Sequence, residues 1–98
     1  MERRALSSDE LIGLSFGLPA WVVQDGCLVR TVQAPTFPAG IAWVDAVAQV
    51  AEAMDHHPDI DIRYRRITFR IRTHDLDAIT TWDVALAHRI DQIVEPHP

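Results

Sequence analysis

The sequence predicts an α+β fold: a two-layer sandwich in which a four-stranded antiparallel sheet carries three helices on one face. Three observations predict it. Two pairs of apolar runs are joined by connections too short for a parallel crossover, the later runs alternate apolar with charged residues, and three stretches opened by serine or threonine carry apolar residues at helical spacing. With 98 residues and 48% apolar content, the chain suffices for one domain over 1–98 with a single core.

Ser7-Ser8-Asp9-Glu10 fits a capping box, so a first helix is expected from about Ser8 to Phe16, closed by Gly17 in the left-handed conformation and stopped by Pro19. Trp21–Gln24 and Cys27–Val32 flank Asp25-Gly26, a dipeptide suited to a tight turn, and read as the first hairpin. Thr36 caps a second helix with Pro38 in its first turn, and the apolar pattern persists from Phe37 to Met54. On that helix Asp45, Gln49, Glu52 and His56 form a polar stripe opposite Ile41, Val44, Val47, Ala48 and Ala51, which sets Glu52 one turn before His56. Pro58 disfavours the helical conformation at His57, so the helix is expected to end at His56 or His57.

Beyond it Ile60, Ile62 and Tyr64 alternate with Asp61, Arg63 and Arg65, and Ile67, Phe69 and Ile71 alternate with Arg66, Thr68, Arg70 and Arg72. This is a second hairpin, turning near Arg65-Arg66, with one apolar and one charged face. Thr80-Thr81-Trp82-Asp83 is another capping box, opening a third helix whose Trp82, Leu86, Ile90 and Ile93 make an apolar stripe. Only the two ends, through about Leu6 and from Glu95, look loosely held.

A formal charge of −5 gives no reason to expect nucleic-acid binding, and the alternating arginines of the second hairpin read as a solvated face. Cys27 is the one cysteine, which excludes an internal disulfide and a cysteine-built zinc site and fits a reducing compartment. No apolar run is long enough to span a bilayer and no signal-peptide pattern follows Met1, so a cytoplasmic protein without membrane contact is expected. A domain this small buries little surface, and a homodimer or homotetramer would supplement its core. There is no glycine-rich phosphate loop and no nucleophile elbow.

What remains is a histidine cluster. His56 and His57 close the second helix, and His74 ends the fourth strand, whereas His88 and His97 stand apart. A helix C-terminus and a glutamate one turn earlier both suit a cationic imidazole at His56, while His57 leaves the helix in another direction. Two such groups offer an acid and a base. Three imidazoles plus water would also suit zinc, although adjacent histidines lack the spacing that puts two ligands on one helical face, and helix capping alone would account for His56. Strand alternation puts His74 with Arg72 on the open face, so a bend must turn it towards the pair.

Glu52, His56-His57-Pro58, Tyr64, His74 and Asp83, separated in turn by three, five, nine and eight residues, resemble the signature of the pterin-4a-carbinolamine dehydratases. The resemblance runs from about Trp21, in a Leu18-Pro19-Ala20-Trp21 stretch similar to one common in that family, to Asp91. It implies the same four-stranded sheet with three helices on one face. It also implies an enzyme that removes water from 4a-hydroxytetrahydropterin to give the quinonoid dihydropterin, in tetrahydropterin recycling, with the pterin as substrate and no metal or organic cofactor. Carried over, His56, His57 and His74 would be the acid-base residues. Pro58, Thr73, Asp75 and Leu76 would line the pterin site with them, and Glu52 and Asp55 would orient imidazoles or contact the ring. Asp83 reads most simply as a helix cap. The chain departs from the family in carrying Asp77-Ala78 where Gly-Gly is common, Arg65 for an asparagine, and Val32-Gln33-Ala34 for an aromatic-rich strand. The alternative reading is a non-catalytic pterin-binding or protein-binding module, since some members partner a transcription factor and fold alone does not fix function.

Overall fold

The computed structural model describes residues 3–95, so His97 lies outside the described residues. The elements follow the expected order: α1 (Ser8–Gly17), β1 (Val22–Gln24), β2 (Cys27–Gln33), α2 (Phe37–Met54), β3 (Asp59–Arg63), β4 (Arg66–Ile71), a single 3-10 turn (His74–Leu76) and α3 (Thr81–Val94). The strands form one antiparallel sheet in the order β1-β2-β4-β3, so the second strands of the two hairpins meet at its centre. An α+β sandwich with a four-stranded antiparallel sheet is therefore the fold.

Register fixes which side chains face the helices. Leu28, Arg30 and Val32 of β2 stand opposite Ile71, Phe69 and Ile67 of β4, and those three β4 residues are fully enclosed. Val47 and Ala51 of α2 and Leu86, Ala87, Ile90 and Val94 of α3 pack in the core with Leu18, Trp21 and Ile79. Gly40 lets α2 approach the sheet closely, because a Cβ there would stand 3.2 Å from Ala34 Cβ and 3.3 Å from Ile67 Cδ1. On the other face Asp59 opposes Arg70, and the Thr31 and Thr68 hydroxyls share a 2.9 Å hydrogen bond. Acidic and basic residues thus mix there, as a solvated face requires.

The caps form as the sequence dictates. Ser7 and Glu10 make the capping box of α1, Thr36 caps α2 with Pro38 in its first turn, and Thr80 and Asp83 make the capping box of α3. Asp25 and Gly26 turn the first hairpin with φ of 52° and 74°, values an Asp-Gly pair accommodates readily. Several expectations need correction. Gly17 belongs to α1, and Leu18, with φ −133° and ψ 63°, ends that helix. The second turn is made by Tyr64 and Arg65 rather than Arg65 and Arg66, and Tyr64 has φ 53° and is 92% exposed. The buried seam of α3 is Asp83, Leu86, Ala87, Ile90 and Val94, so Trp82 and Ile93 lie at its edges.

The segment before α1 is also not loose. Leu6 N–H donates to Ile79 O at 3.0 Å, Thr81 N–H donates to Arg4 O at 3.1 Å, and Ala5 pairs with Thr80. Arg4 then makes a two-pronged ion pair with Glu10, at 2.7 and 2.8 Å. The guanidinium, followed by the Ser7 N–H, lowers the Glu10 carboxyl from 4.5 to about 2.

Two outcomes follow. Phe69→Ala should cost about 3–5 kcal/mol of stability, read from urea unfolding, since the ring is fully enclosed and its neighbours cannot all collapse inward. A carboxyl with a depressed folded pKa stabilises above its unfolded value and loses that contribution as pH falls through the folded value. Glu10 should thus support the fold above pH 4.5 and cease to do so as pH falls through about 2. Carbon-detected titration of the Glu10 carboxyl should show that low midpoint in the wild type and a return towards 4.5 in Arg4→Ala.

Candidate active site

The site begins where α2 stops. Asp55 takes the left-handed conformation, φ 52° and ψ 44°, and its N–H reaches back to Ala51 O and Glu52 O. The His56 N–H also returns to Ala51 O, at 3.0 Å, closing the helix in the manner glycine usually provides. The helix therefore ends two residues earlier than the proline alone suggests, and His56 and His57 leave it on divergent paths. His56 turns inward and is 8% exposed, whereas the His57 side chain stays 58% exposed.

This divergence corrects the expected pairing. Glu52 does not reach His56; its Oε1 lies 2.8 Å from His57 Nε2. His56 Nε2 lies instead 2.5 Å from Oδ1 of Asp83, a carboxylate with no exposed surface. Asp83 is a cap, as expected, but it is also the partner of a histidine. Its Oδ2 accepts from Thr80 N–H at 2.7 Å and from the Thr73 hydroxyl at 3.0 Å. Thr73 spends its one hydroxyl proton there, so the 2.7 Å contact between Thr73 and Thr80 hydroxyls has Thr80 as donor. A buried carboxylate requires such compensation, and here three donors from three segments supply it. The His56 and Trp82 rings also meet in a T-shaped arrangement, with centroids 5.8 Å apart and planes at 83°.

His74 arrives by the predicted bend. Alternation carries Thr73 inward after Ile71, and the chain then winds into the 3-10 turn that starts at His74. Paired Thr73 and Ala78 backbones, with N–H to O distances of 2.9 and 3.3 Å, clamp the base of this loop. Asp77 closes the turn with φ 48° and donates its N–H to His74 O at 3.1 Å. An aspartate tolerates that conformation better than most residues, so the loop closes without a glycine. The Asp77 carboxylate binds Arg72.

A cleft of about 200 Å³ brings together Asp55, His56, His57, Thr73, His74 and Asp75. Three expected residues do not line it. Glu52 lines a shallow groove on α2 with Ala48 and Gln49 and touches the cleft only through His57, while Pro58 and Leu76 stand outside it. Two lining residues had no signal in the sequence: Arg3, on the segment before α1, and Arg72, whose Nε is buried without an acceptor. Asp75 is held below the usual carboxylate range, chiefly by its hydrogen bond from Arg3. A larger cavity, about 390 Å³, lies between α1 and α3 beside His88 and away from the cluster. Among the described residues no group of three or more His, Cys, Asp or Glu side chains is arranged to hold a metal ion, and no helix is long and apolar enough to cross a membrane.

Chemically, the cleft offers three imidazoles on two elements, one fixed by a buried carboxylate and two at the surface. The Brucella melitensis protein described as "transcriptional coactivator/pterin dehydratase" has a crystal structure that superposes with a TM-score of 0.89 at 23% identity, covering 94% of this chain and 100% of that one. A "pterin dehydratase-like protein" described as a RuBisCO assembly factor of the alpha-carboxysome gives 0.68 at 20% identity, over 80% and 93% of the two chains. At those identities the likeness concerns the fold. Sequence relatives are nearer. A Nocardia farcinica protein named "Putative pterin-4-alpha-carbinolamine dehydratase" is 48% identical over 89 residues, 90% of this chain and 94% of its own. A Chloroflexus aurantiacus protein of the same name is 49% identical over 76 residues, 78% and 82% of the two chains. The model of the family described as "Pterin 4 alpha carbinolamine dehydratase" matches residues 4–93, and the chain belongs to that family.

Proposed function

We propose that the protein dehydrates a 4a-hydroxytetrahydropterin to the quinonoid dihydropterin by acid-base catalysis from histidines, as a step in tetrahydropterin recycling. The observation that carries this reading is the convergence of His56, His57 and His74 on one cleft from two elements. The reaction breaks the C4a–O bond and forms a ring C=N bond. The hydroxyl leaves as water once it receives a proton, and a ring N–H proton is removed as the double bond forms. One acid and one base suffice, and neither a metal nor an organic cofactor is needed.

His57 and His74 are the exposed imidazoles and so the two that exchange protons with the bound pterin. His57 has Nε2 engaged by Glu52, which leaves Nδ1 for the substrate and fixes the ring plane. His56 has Nε2 engaged by Asp83; it forms the inner wall and presents its other nitrogen. In this reading Asp55, Thr73 and Asp75 border the pterin as lining residues of the cleft, while Pro58 follows His57 and Leu76 closes the short turn that begins at His74. A cleft of about 200 Å³ is smaller than the roughly 300–1,000 Å³ that encloses a drug-sized ligand, so the flat bicycle inserts by one edge. A cytoplasmic homodimer or homotetramer belongs to the same reading, supported by the small core and by the exposed Ile12 and Phe16 of α1.

Stopped-flow decay of 4a-hydroxytetrahydropterin tests it. The wild type should accelerate the decay, and His57→Ala or His74→Ala should lower kcat about 10²-fold or more, the scale of a lost acid or base. A wild type that binds pterin without acceleration would favour the non-catalytic module. Asp83→Asn should keep the shape but put an amide where His56 needs an acceptor. It should lower kcat about tenfold and stability by roughly 1–3 kcal/mol, measured by the same assay and by urea unfolding.

A further inference from the structure

The family match begins at residue 4, so it assigns nothing to Arg3. Yet Arg3 borders the histidine cleft. Its position follows from the backbone: residues 4–6 run alongside 79–81 through the Thr81 N–H to Arg4 O and Leu6 N–H to Ile79 O hydrogen bonds, which delivers the preceding residue to the start of α3. There its guanidinium lies 5.5 Å from the centre of the Trp82 ring, and Nη1 donates to Asp75 Oδ1 at 2.8 Å. Arg3 thus joins the segment before α1, the first turn of α3 and the turn that carries His74.

That turn is tied on one flank by the Arg72 side chain, which binds the Asp77 carboxylate, and on the other flank, at Asp75, by Arg3. A 3-10 helix of three residues is near the shortest that forms, and its backbone is closed by the Leu76 N–H to Thr73 O and Asp77 N–H to His74 O bonds, of 3.2 and 3.1 Å. The hydroxyl of Thr73 fixes the start of the loop, but Asp75, the residue after His74, points outward to Arg3. We infer that Arg3 is a positioning residue of the active site: through Asp75 it holds the turn that presents His74, and through Trp82 it holds that turn against the helix that fixes His56. The inference rests on the proposed use of His74 as an acid-base group.

The Arg3–Asp75 pair is partly exposed, with side chains 39% and 60% accessible, and such pairs are of small strength. The effect on rate is accordingly modest. In the dehydration assay Arg3→Ala should lower kcat about fivefold because His74 is misplaced, with a smaller rise in KM from the loss of one lining side chain. Arg3→Lys should recover most of the loss by restoring the charge to Asp75. Asp75→Ala should lower kcat similarly, and the double variant should be no worse than either single one. Thermal midpoints of all four should stay near that of the wild type.

Unchanged kcat in Arg3→Ala, or losses that multiply in the double variant, would overturn the inference while leaving the proposed activity intact. Amide hydrogen exchange separates the two questions, since it needs no substrate. The Asp77 N–H, which reports closure of the His74 turn, should exchange about fivefold faster in Arg3→Ala than in the wild type. Should the wild type not accelerate dehydration, that rate still decides: faster exchange upholds the tether, and an unchanged rate refutes it.

Discussion

The Asp83 carboxylate is the constraint on which the site depends. It is fully buried and receives His56 from the end of α2, Thr73 from the end of β4, and the Thr80 N–H at the start of α3. Losing any of these donors would leave a buried charge undercompensated, so the three segments hold their relative positions on pain of several kcal/mol. The helix-capping role and the histidine-anchoring role are not alternatives. Capping uses one carboxylate oxygen on the backbone, and geometry then aims the other across the core at His56. A capping box at the start of α3 is thereby the foundation of a site formed by residues on other elements.

A second polar anchor holds the far end of the same helix. Arg30 faces the helices from the apolar side of β2, where its guanidinium binds Asp91 and, at 3.2 Å, Glu95. Trp21 Nε1–H donates to the same Asp91 carboxylate at 2.8 Å. Between the anchors Leu86 and Ile90 fill the core. Packing of this kind is tolerant of rotation and sliding, whereas directional bonds to carboxylates at both ends are not. The third helix is thus registered against the sheet at two points, and the sheet end carrying Thr73 and His74 inherits that register.

Element order and caps were legible because each rests on local chemistry: Ser7 with Glu10, Thr36 with Pro38, Asp25-Gly26, Thr80 with Asp83. The histidine cluster was legible too, as residue types at a spacing. What could not be read was direction. Helical periodicity puts Glu52 beneath His56, but that relation holds only if the helix continues, and the left-handed conformation of Asp55 ends it first. Pro58 announced an ending without saying which residue would absorb the turn. Arg3 was illegible for a different reason. Its place depends on pairing between residues 4–6 and 79–81, a contact between distant segments that no local pattern encodes. The seam of α3 was misplaced by one residue because Asp83, a charged residue, occupies a core position that only its partners make acceptable.

Left-handed aspartates recur at the places that matter. Asp55 ends α2 and Asp77 ends the turn after His74, with φ of 52° and 48°. Each does work commonly given to glycine, and each differs from glycine in carrying a charge to the rim of the site. Asp55 lines the cleft itself, and Asp77 binds Arg72, which lines it from the residue after β4. Glycine at either position would close the same turn and leave that charge out, removing the partner of Arg72 in one case and a cleft wall in the other. The loop is therefore not a family loop that has lost its glycines. It is a loop closed by a residue that also fixes a neighbouring guanidinium, and its stiffness comes from side-chain bonds as well as from backbone conformation. For the proton transfer proposed at His74 that distinction matters, because an imidazole in that role must stay within hydrogen-bond reach of one substrate atom, and a turn tethered on both sides holds it to that tolerance more closely than backbone closure alone.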